Sequence, residues 1–324
     1  MKRIFVTGIN GLLGTNLCHD LLNNGYQVTG FIRNKNSFKG KYHKNLILIE
    51  GQLFDDFSSI LKNTDIVIHV AATTNQSIID YSEYWKINCN ATIQLFNTAI
   101  LCNVKRFIFV STANTLGYGS LKELGSENKE MNPLFKQSYY AKSKLEAENY
   151  LINNEHKIET VIVNPTFMLG AYDTKPSSGK IIYMGWKKRI IFYPPGGKNF
   201  VHVKDVSLGI LHAIDKGVSG EKYLLANENL NYKEFFKTLN TITNQNPIMI
   251  KIPKRFLLLV GYLGNLLRKL QIKSSLSLTN TKILCIENYF SNNKSIKYLD
   301  ITYQPIDKAI IDAIDYFSNT KNKL

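Results

Sequence analysis

The sequence predicts an α/β protein: a doubly wound parallel sheet followed by a smaller C-terminal α/β lobe. Three observations carry that expectation. Short apolar runs alternate with segments of helical period. The first run ends in a glycine turn that opens a helix, and beyond residue 165 the alternation loosens into stretches rich in Pro and Gly. A chain of 324 residues has room for one large domain and a smaller lobe.

Residues 3–7 (RIFVT) form a buried first strand. Leu13, Leu17, Leu21 and Leu22 recur at helical spacing, giving a helix from Leu12 to Leu22 that stops at Asn23-Asn24-Gly25. Further strands follow at 26–32, 46–49 and 65–70 (DIVIHV). Residues 80–102 then make one long helix with Tyr84, Ile87, Ala91, Leu95 and Ala99 along one side. A strand at 107–111 (FIFVS), a helix at 140–153 and a strand at 159–163 complete the alternation, closed by Asn164-Pro165. Strands that are apolar throughout belong in a parallel sheet covered on both faces. The expected domains are therefore residues 1–165 and 166–324, with a segment at about 198–215 returning to the first. Helical periods resume in the second at 206–214, 232–239, 256–270 and 306–317.

The net charge of +15 comes from Lys and Arg scattered along the chain, without a basic tail. An anionic cofactor or substrate explains it more simply than nucleic acid, which is not expected as a partner. Cys18, Cys89, Cys102 and Cys285 show no pairing pattern and no CxxC metal knuckle, as in a reducing cytoplasm. The six histidines form no ligand set, so no metal is expected. The opening MKRIFVTG enters a strand at once, unlike a signal peptide. The apolar segment starting at Phe256 is bounded by Arg255 and Arg268 and is too short to span a bilayer. A core helix or helical hairpin is expected there, with weak peripheral membrane contact as the alternative.

The first functional signal is Thr7-Gly8-Ile9-Asn10-Gly11-Leu12-Leu13-Gly14. Gly8 and Gly11 let the backbone approach a pyrophosphate, Gly14 lets the helix pack close to the sheet, and the helix N-terminus offers N–H groups to the anion. A strand–turn–helix of this kind predicts a Rossmann-type dinucleotide site formed by Gly8, Asn10, Gly11, Leu12 and Gly14. The second strand runs into Arg33 and Lys35, with none of the Asp or Glu that NAD enzymes place on the ribose. A guanidinium there suits a 2′-phosphate, so NADP(H) is the expected cofactor and NAD(H) the alternative.

Tyr140 and Lys144 stand four apart on a predicted helix and so share a face. A tyrosine hydroxyl ordinarily titrates near 10, and a neighbouring ammonium is expected to lower that value. Such a phenol protonates a carbonyl oxygen as hydride arrives. Ser111 and Thr112 end the strand FIFVS, where side chains line a cofactor crevice; Thr112 is expected to donate to the substrate oxygen, with Ser111 as the runner-up or partner in that role.

Together these residues resemble the extended short-chain dehydrogenase/reductase, or NAD-dependent epimerase/dehydratase, superfamily over almost the whole chain. HVAA at 69–72 resembles its fourth-strand motif, ending in Ala71 and Ala72, and Asn88 its helix asparagine. Thr112 falls in the catalytic Ser/Thr slot, and Tyr140 and Lys144 in the YxxxK pair. Asn164-Pro165 resembles the segment beside the nicotinamide, and 200–206 the VHVDDV-like motif. The stretches VNPTFMLG, PSSGKIIY and NFVHVKDVSLGILHAIDKG resemble most the dihydroflavonol 4-reductase-like branch, including hopanoid-associated, nominally sugar-epimerase proteins. The resemblance implies catalytic Thr112, Tyr140 and Lys144. It also implies cofactor contacts from Ala71, Ala72 and Thr73 after the fourth strand, from Asn88 and Ser111, and from Asn164-Pro165, and a homodimer as the common habit. Thr74, Ser138, Tyr139, Met168 and Tyr172 are the expected substrate-side residues.

Three departures shape the functional expectation. Gln52 replaces the usual Asp of a GD-L motif before Leu53, which predicts a weaker adenine contact. Ala113-Asn114 follow Thr112, where the dehydratases carry Asp-Glu, so elimination lacks its acid and base. Lys198 stands where nucleotide-sugar enzymes often place a diphosphate-binding Arg. The expectation is an NADP(H)-dependent oxidoreductase that reduces a ketone or aldehyde of a small substrate. Epimerisation of a nucleotide sugar or sugar derivative is the first alternative, and a non-catalytic cofactor-binding module the second.

Overall fold

Seven strands, every neighbouring pair parallel, run in the order Lys222–Leu225, Glu159–Pro165, Arg106–Val110, Ile66–His69, Arg3–Thr7, Gln27–Ile32, Leu46–Glu50. The computed structural model describes residues 1–321. Alternation along the strands splits the core in two. Ile4 and Val6 face the first helix, Leu12–Asn23, and the helix Val203–Ala213. Phe5 faces the other way, onto Phe31, Phe57 and Phe96. Each such side chain, fully buried, contributes about 1.5–3 kcal/mol relative to an exposed one. The strand order reverses between Arg3–Thr7 and Ile66–His69, which opens a crevice at their carboxyl ends.

The helix expected over 80–102 is present but not uniform. It runs Tyr81–Trp85, widens into a π turn at Lys86–Asn90, then continues as Ala91–Leu101. Period counting misses an inserted residue of this kind. The π turn carries Asn88, whose side chain is wholly buried.

Beyond residue 165 the chain serves both regions. Val203–Ala213 and Lys222–Leu225 join the large sheet and its layers, while Gly197–His202 centres a second, four-stranded sheet with Phe167–Leu169, Glu228–Asn231 and Glu287–Asn288. A third core gathers there, with the Phe200 and Phe235 rings stacked at 4.5 Å beside Phe236, Ile310 and Phe317. Of the two expectations for the segment around 256–270, the helical hairpin holds and the core helix does not. The segment is the first arm of a hairpin, Lys254–Lys269 against Leu278–Ile283, and most of its leucines face outward.

Candidate active site

At the reversal point the first strand leaves through Gly8, whose φ of +72° favours glycine; a Cβ there would lie 2.7 Å from the Ala71 nitrogen. A Cβ on Gly14 would lie 2.1 Å from the Gly8 carbonyl oxygen, so the first helix meets the turn only because Gly14 has none. No side chain caps that helix at Gly11, and a Cβ at Gly11 would meet only the Gly8 oxygen, at 3.5 Å. First-turn N–H groups at an open surface of this kind fit a pyrophosphate. The Asn10 amide donates to Ser37 Oγ at 2.8 Å and ties the turn to the loop after the second strand.

Arg33 and Lys35 are both exposed at the end of that strand. The second strand itself ends without a carboxylate, but its neighbour brings one close. Glu50 ends the neighbouring strand in register with Ile32, and its Oε2 accepts the Lys35 backbone N–H at 3.0 Å. Pairing between strands brings in an acid that stands fifteen residues away in sequence. The backbone N–H of Gln52 is bound to Asp55 at 2.7 Å, with the Gln52 side chain exposed and Leu53 half-buried.

Beneath the crevice lies a chain of hydrogen bonds. The Ala71 N–H donates to Thr7 Oγ1, which pairs with His69 Nδ1 at 2.7 Å; His69 Nε2 pairs with Thr92 Oγ1, which donates to the Asn88 carbonyl. That direction places the His69 proton on Nε2. Burial holds the imidazole neutral, pushed down to about 3. The Asn88 amide accepts from the Thr73 N–H at 2.8 Å, donates to the Thr73 carbonyl at 3.1 Å and donates to Ser143 Oγ at 3.1 Å. Its polar groups are thus spent on positioning the strand end and the Tyr140 helix.

Tyr140 and Lys144 lie on the helix Tyr139–Asn153, capped by Ser138, whose Oγ accepts the Ala141 N–H at 3.5 Å. The Thr112 side chain stands beside the Tyr140 hydroxyl and favours its phenolate. Lys144 is buried, donates to the Val110 carbonyl at 2.7 Å and stands 3.9 Å from the Phe109 ring centroid. This corrects the expected electrostatics. Burial drives the Tyr140 phenol up to about 12, and the downward influence on it is Thr112. Lys144 is itself lowered to about 7, because burial outweighs the nearby Glu148 carboxylate.

Behind Thr112 lies a buried cluster. Asn164 donates through Nδ2 to the Thr112 carbonyl at 3.1 Å and to Glu148 Oε1 at 2.8 Å; Glu148 also accepts from Thr115 and pairs with Lys222 at 2.6 Å. Glu148 was not anticipated, although its spacing after Tyr140 and Lys144 puts it on the same helical face. Two buried atoms, Ser111 Oγ and Asn164 Oδ1, have no hydrogen-bond partner among the described residues. They follow or end neighbouring strands at the crevice, beside the buried Pro165, where a bound nicotinamide or substrate would satisfy them.

The substrate-side candidates separate. Ser138 and Tyr139 line a cleft of about 210 Å³ with Gln76, Tyr84, Asn265 and Arg268. Thr74 is exposed on the loop after the fourth strand. Met168 packs on the first core, opposite Val201. Tyr172 lies elsewhere, between the rings of His19 and Tyr316, in a different cleft of about 430 Å³ that shares no lining residue with the first. Lys198 is half-buried, its ammonium 4.8 Å from the Phe167 ring centroid, and burial lowers it to about 8. Its strand neighbour Asn288 has a buried Oδ1 without a partner among the described residues.

Residues 4–226 match the model of the NAD dependent epimerase/dehydratase family. The chain is 26% identical to a putative dihydroflavonol 4-reductase of Synechocystis, covering 97% of this chain and 94% of that one. It is 28% identical to a sterol-4-alpha-carboxylate 3-dehydrogenase, decarboxylating, of Dictyostelium discoideum, over 94% and 96% respectively. The crystal structure of gox2253 superposes with a TM-score of 0.84 at 26% identity, covering 99% of both chains.

Proposed function

The chain belongs to the NAD dependent epimerase/dehydratase family, and from that premise we propose that it reduces a ketone or aldehyde of a small organic substrate to an alcohol, with NADP(H) as the preferred cofactor. The observation that carries this reading is the Tyr140 phenol beside Thr112 at the crevice, which burial keeps protonated at neutral pH. Gly8, Gly11, Gly14 and the Leu12 end of the first helix hold the dinucleotide pyrophosphate. Arg33 and Lys35 receive the 2′-phosphate, with Glu50 opposing them. Ala71, Ala72, Thr73 and Asn164-Pro165 border the nicotinamide side.

A bound nicotinamide would supply the hydride. Tyr140 gives its proton to the substrate oxygen, and Thr112 stabilises the phenolate left behind. Lys144, buried on the same helical face and held against the Val110 carbonyl, supports the Tyr140 phenol from the side of the helix. Asn88 acts through Thr73 and Ser143 as a positioning residue. Ala113 and Asn114 supply no acid or base for elimination, which disfavours a dehydratase.

The test is NADPH oxidation across a panel of ketones and aldehydes, with cofactor binding followed by calorimetry. Tyr140→Phe is expected to bind NADPH like the parent and to lose at least about a hundredfold in turnover. Equal turnover would remove Tyr140 from the mechanism, and tighter binding of NADH than NADPH would overturn the cofactor preference. The epimerase reading retains one specific support: the half-buried Lys198 ammonium has no acidic partner among the described residues and would suit an anionic substrate. Conversion of a nucleotide sugar without net NADPH consumption would favour it.

A further inference from the structure

The helix Lys254–Lys269 is packed the reverse of an ordinary surface helix. Its inward side is Leu257, Gly261 and Gly264, and a Cβ on either glycine would strike the hairpin, 2.1 Å from Thr281 Oγ1 in the second arm or 2.5 Å from the Leu276 carbonyl in the turn before it. Its outward side holds Phe256, Leu259, Tyr262, Leu263, Leu266 and Leu270, each more than half exposed. A continuous apolar stripe of this kind on a surface marks a docking site. The ribbon that leads into the helix, Ile190–Tyr193 paired with Ile248–Lys251, exposes a second apolar strip of Ile190, Phe192, Ile248 and Ile250.

Charge identifies the occupant. No Asp or Glu occurs between Glu234 and Glu287, whereas Lys251, Lys254, Arg255, Lys269 and Lys273 are exposed at or near the two ends of the stripe. Two copies of this face brought together symmetrically would set these cations against one another, which disfavours self-association. Apolar side chains between basic ends are what an interfacial helix presents to lipid headgroups and acyl chains. No helix among the described residues is long and apolar enough to cross a membrane, so the helix would lie on the surface rather than span it.

We propose that the outward face of the helix Lys254–Lys269 docks this chain on an anionic lipid bilayer. The opposite side of the same helix contributes Asn265 and Arg268 to the Ser138–Tyr139 cleft, and Arg268 is anchored to the Gln76 and Ile78 carbonyls at 2.8 Å. Docking therefore sets that cleft close to lipid. The inference stands apart from the proposed reductase activity, because vesicle binding is read without turnover.

The test is co-sedimentation of the full chain with vesicles of phosphatidylcholine alone or mixed with phosphatidylglycerol. The parent is expected to pellet with the anionic vesicles and to be partly released by high salt. Leu259→Glu/Leu263→Glu and Arg255→Glu/Lys269→Glu are each expected to bind about tenfold more weakly or worse, with unchanged circular dichroism and unchanged NADPH binding. Leu263→Trp provides a conservative reporter whose emission shifts to the blue on anionic vesicles. The proposal is overturned if the parent does not pellet, if neutral vesicles bind equally, or if Leu263→Trp shows no shift. A concentration-dependent dimer that Leu259→Glu/Leu263→Glu dissolves, without vesicle binding, would assign the face to a second copy instead.

Discussion

The helices Leu12–Asn23 and Lys254–Lys269 are both leucine-rich and amphipathic, and they use that pattern in opposite ways. In the first, Leu13, Leu17 and Leu21 are buried between the sheet and the helix Val203–Ala213, and the glycine Gly14 meets the turn that would hold phosphate. In the second, the glycines face the protein and the leucines face out. Apolar period establishes that a helix has two faces. It does not say which face the protein covers, because that depends on what arrives from elsewhere in the chain.

Matched truncations sharpen this comparison most. Leu17→Ala is expected to cost about 2–5 kcal/mol in urea unfolding, since it leaves a cavity in a closed core. Leu263→Ala is expected to stay within about 0.5 kcal/mol, since its side chain already meets solvent. Equal losses would mean that the second helix is covered in solution.

The glycines come next. Gly14→Ala places a Cβ 2.1 Å from a backbone oxygen of the phosphate turn, and is expected to weaken NADPH binding about tenfold or more, by calorimetry, with a stability loss of about 1–3 kcal/mol. Gly264→Ala, at 2.5 Å from the Leu276 carbonyl, is expected to loosen the hairpin while leaving NADPH affinity unchanged.

The buried Lys144 should also be visible in the pH dependence of stability. Lys144 titrates near 7 folded and near 10.5 unfolded, so within that window the unfolded chain binds the extra proton and stability rises with pH. Urea unfolding from pH 7 to 10 should show a shallower rise in Lys144→Met than in the parent. An unaltered slope in Lys144→Met would place that ammonium in solvent.

The smallest effect is expected at Glu50, whose carboxylate opposes the 2′-phosphate proposed for Arg33 and Lys35. Glu50→Gln should shift the NADPH-to-NADH affinity ratio toward NADPH by no more than about fivefold, because exposed charges interact weakly. A shift toward NADH would show that Glu50 supports the phosphate site instead.

The sheet was legible in the sequence because its signals are local. RIFVT before a glycine turn, DIVIHV, and FIFVS before Thr112 each state a buried strand within a few residues. The Tyr140–Lys144 spacing was likewise readable, since four residues along a helix define one face. The sequence did not announce the π turn at Lys86–Asn90, nor that Lys144 would rest on the Val110 carbonyl while Thr112 acts on the Tyr140 phenol. Tyr172 was grouped with Ser138 and Tyr139 by its place after Asn164-Pro165, yet the chain turns at Tyr172 with φ +73° and lays it against His19 and Tyr316.

By itself, then, the sequence determined the strand–turn–helix order, the glycine turn and the helical face shared by Tyr140, Lys144 and Glu148. These depend on residues within one or two turns of each other. Tertiary structure alone decided that Glu50 meets Lys35, that Glu148 pairs with Lys222, and that a leucine-rich helix is left facing outward. Burial and electrostatic environment are set by groups distant in the chain, and no local pattern carries that information.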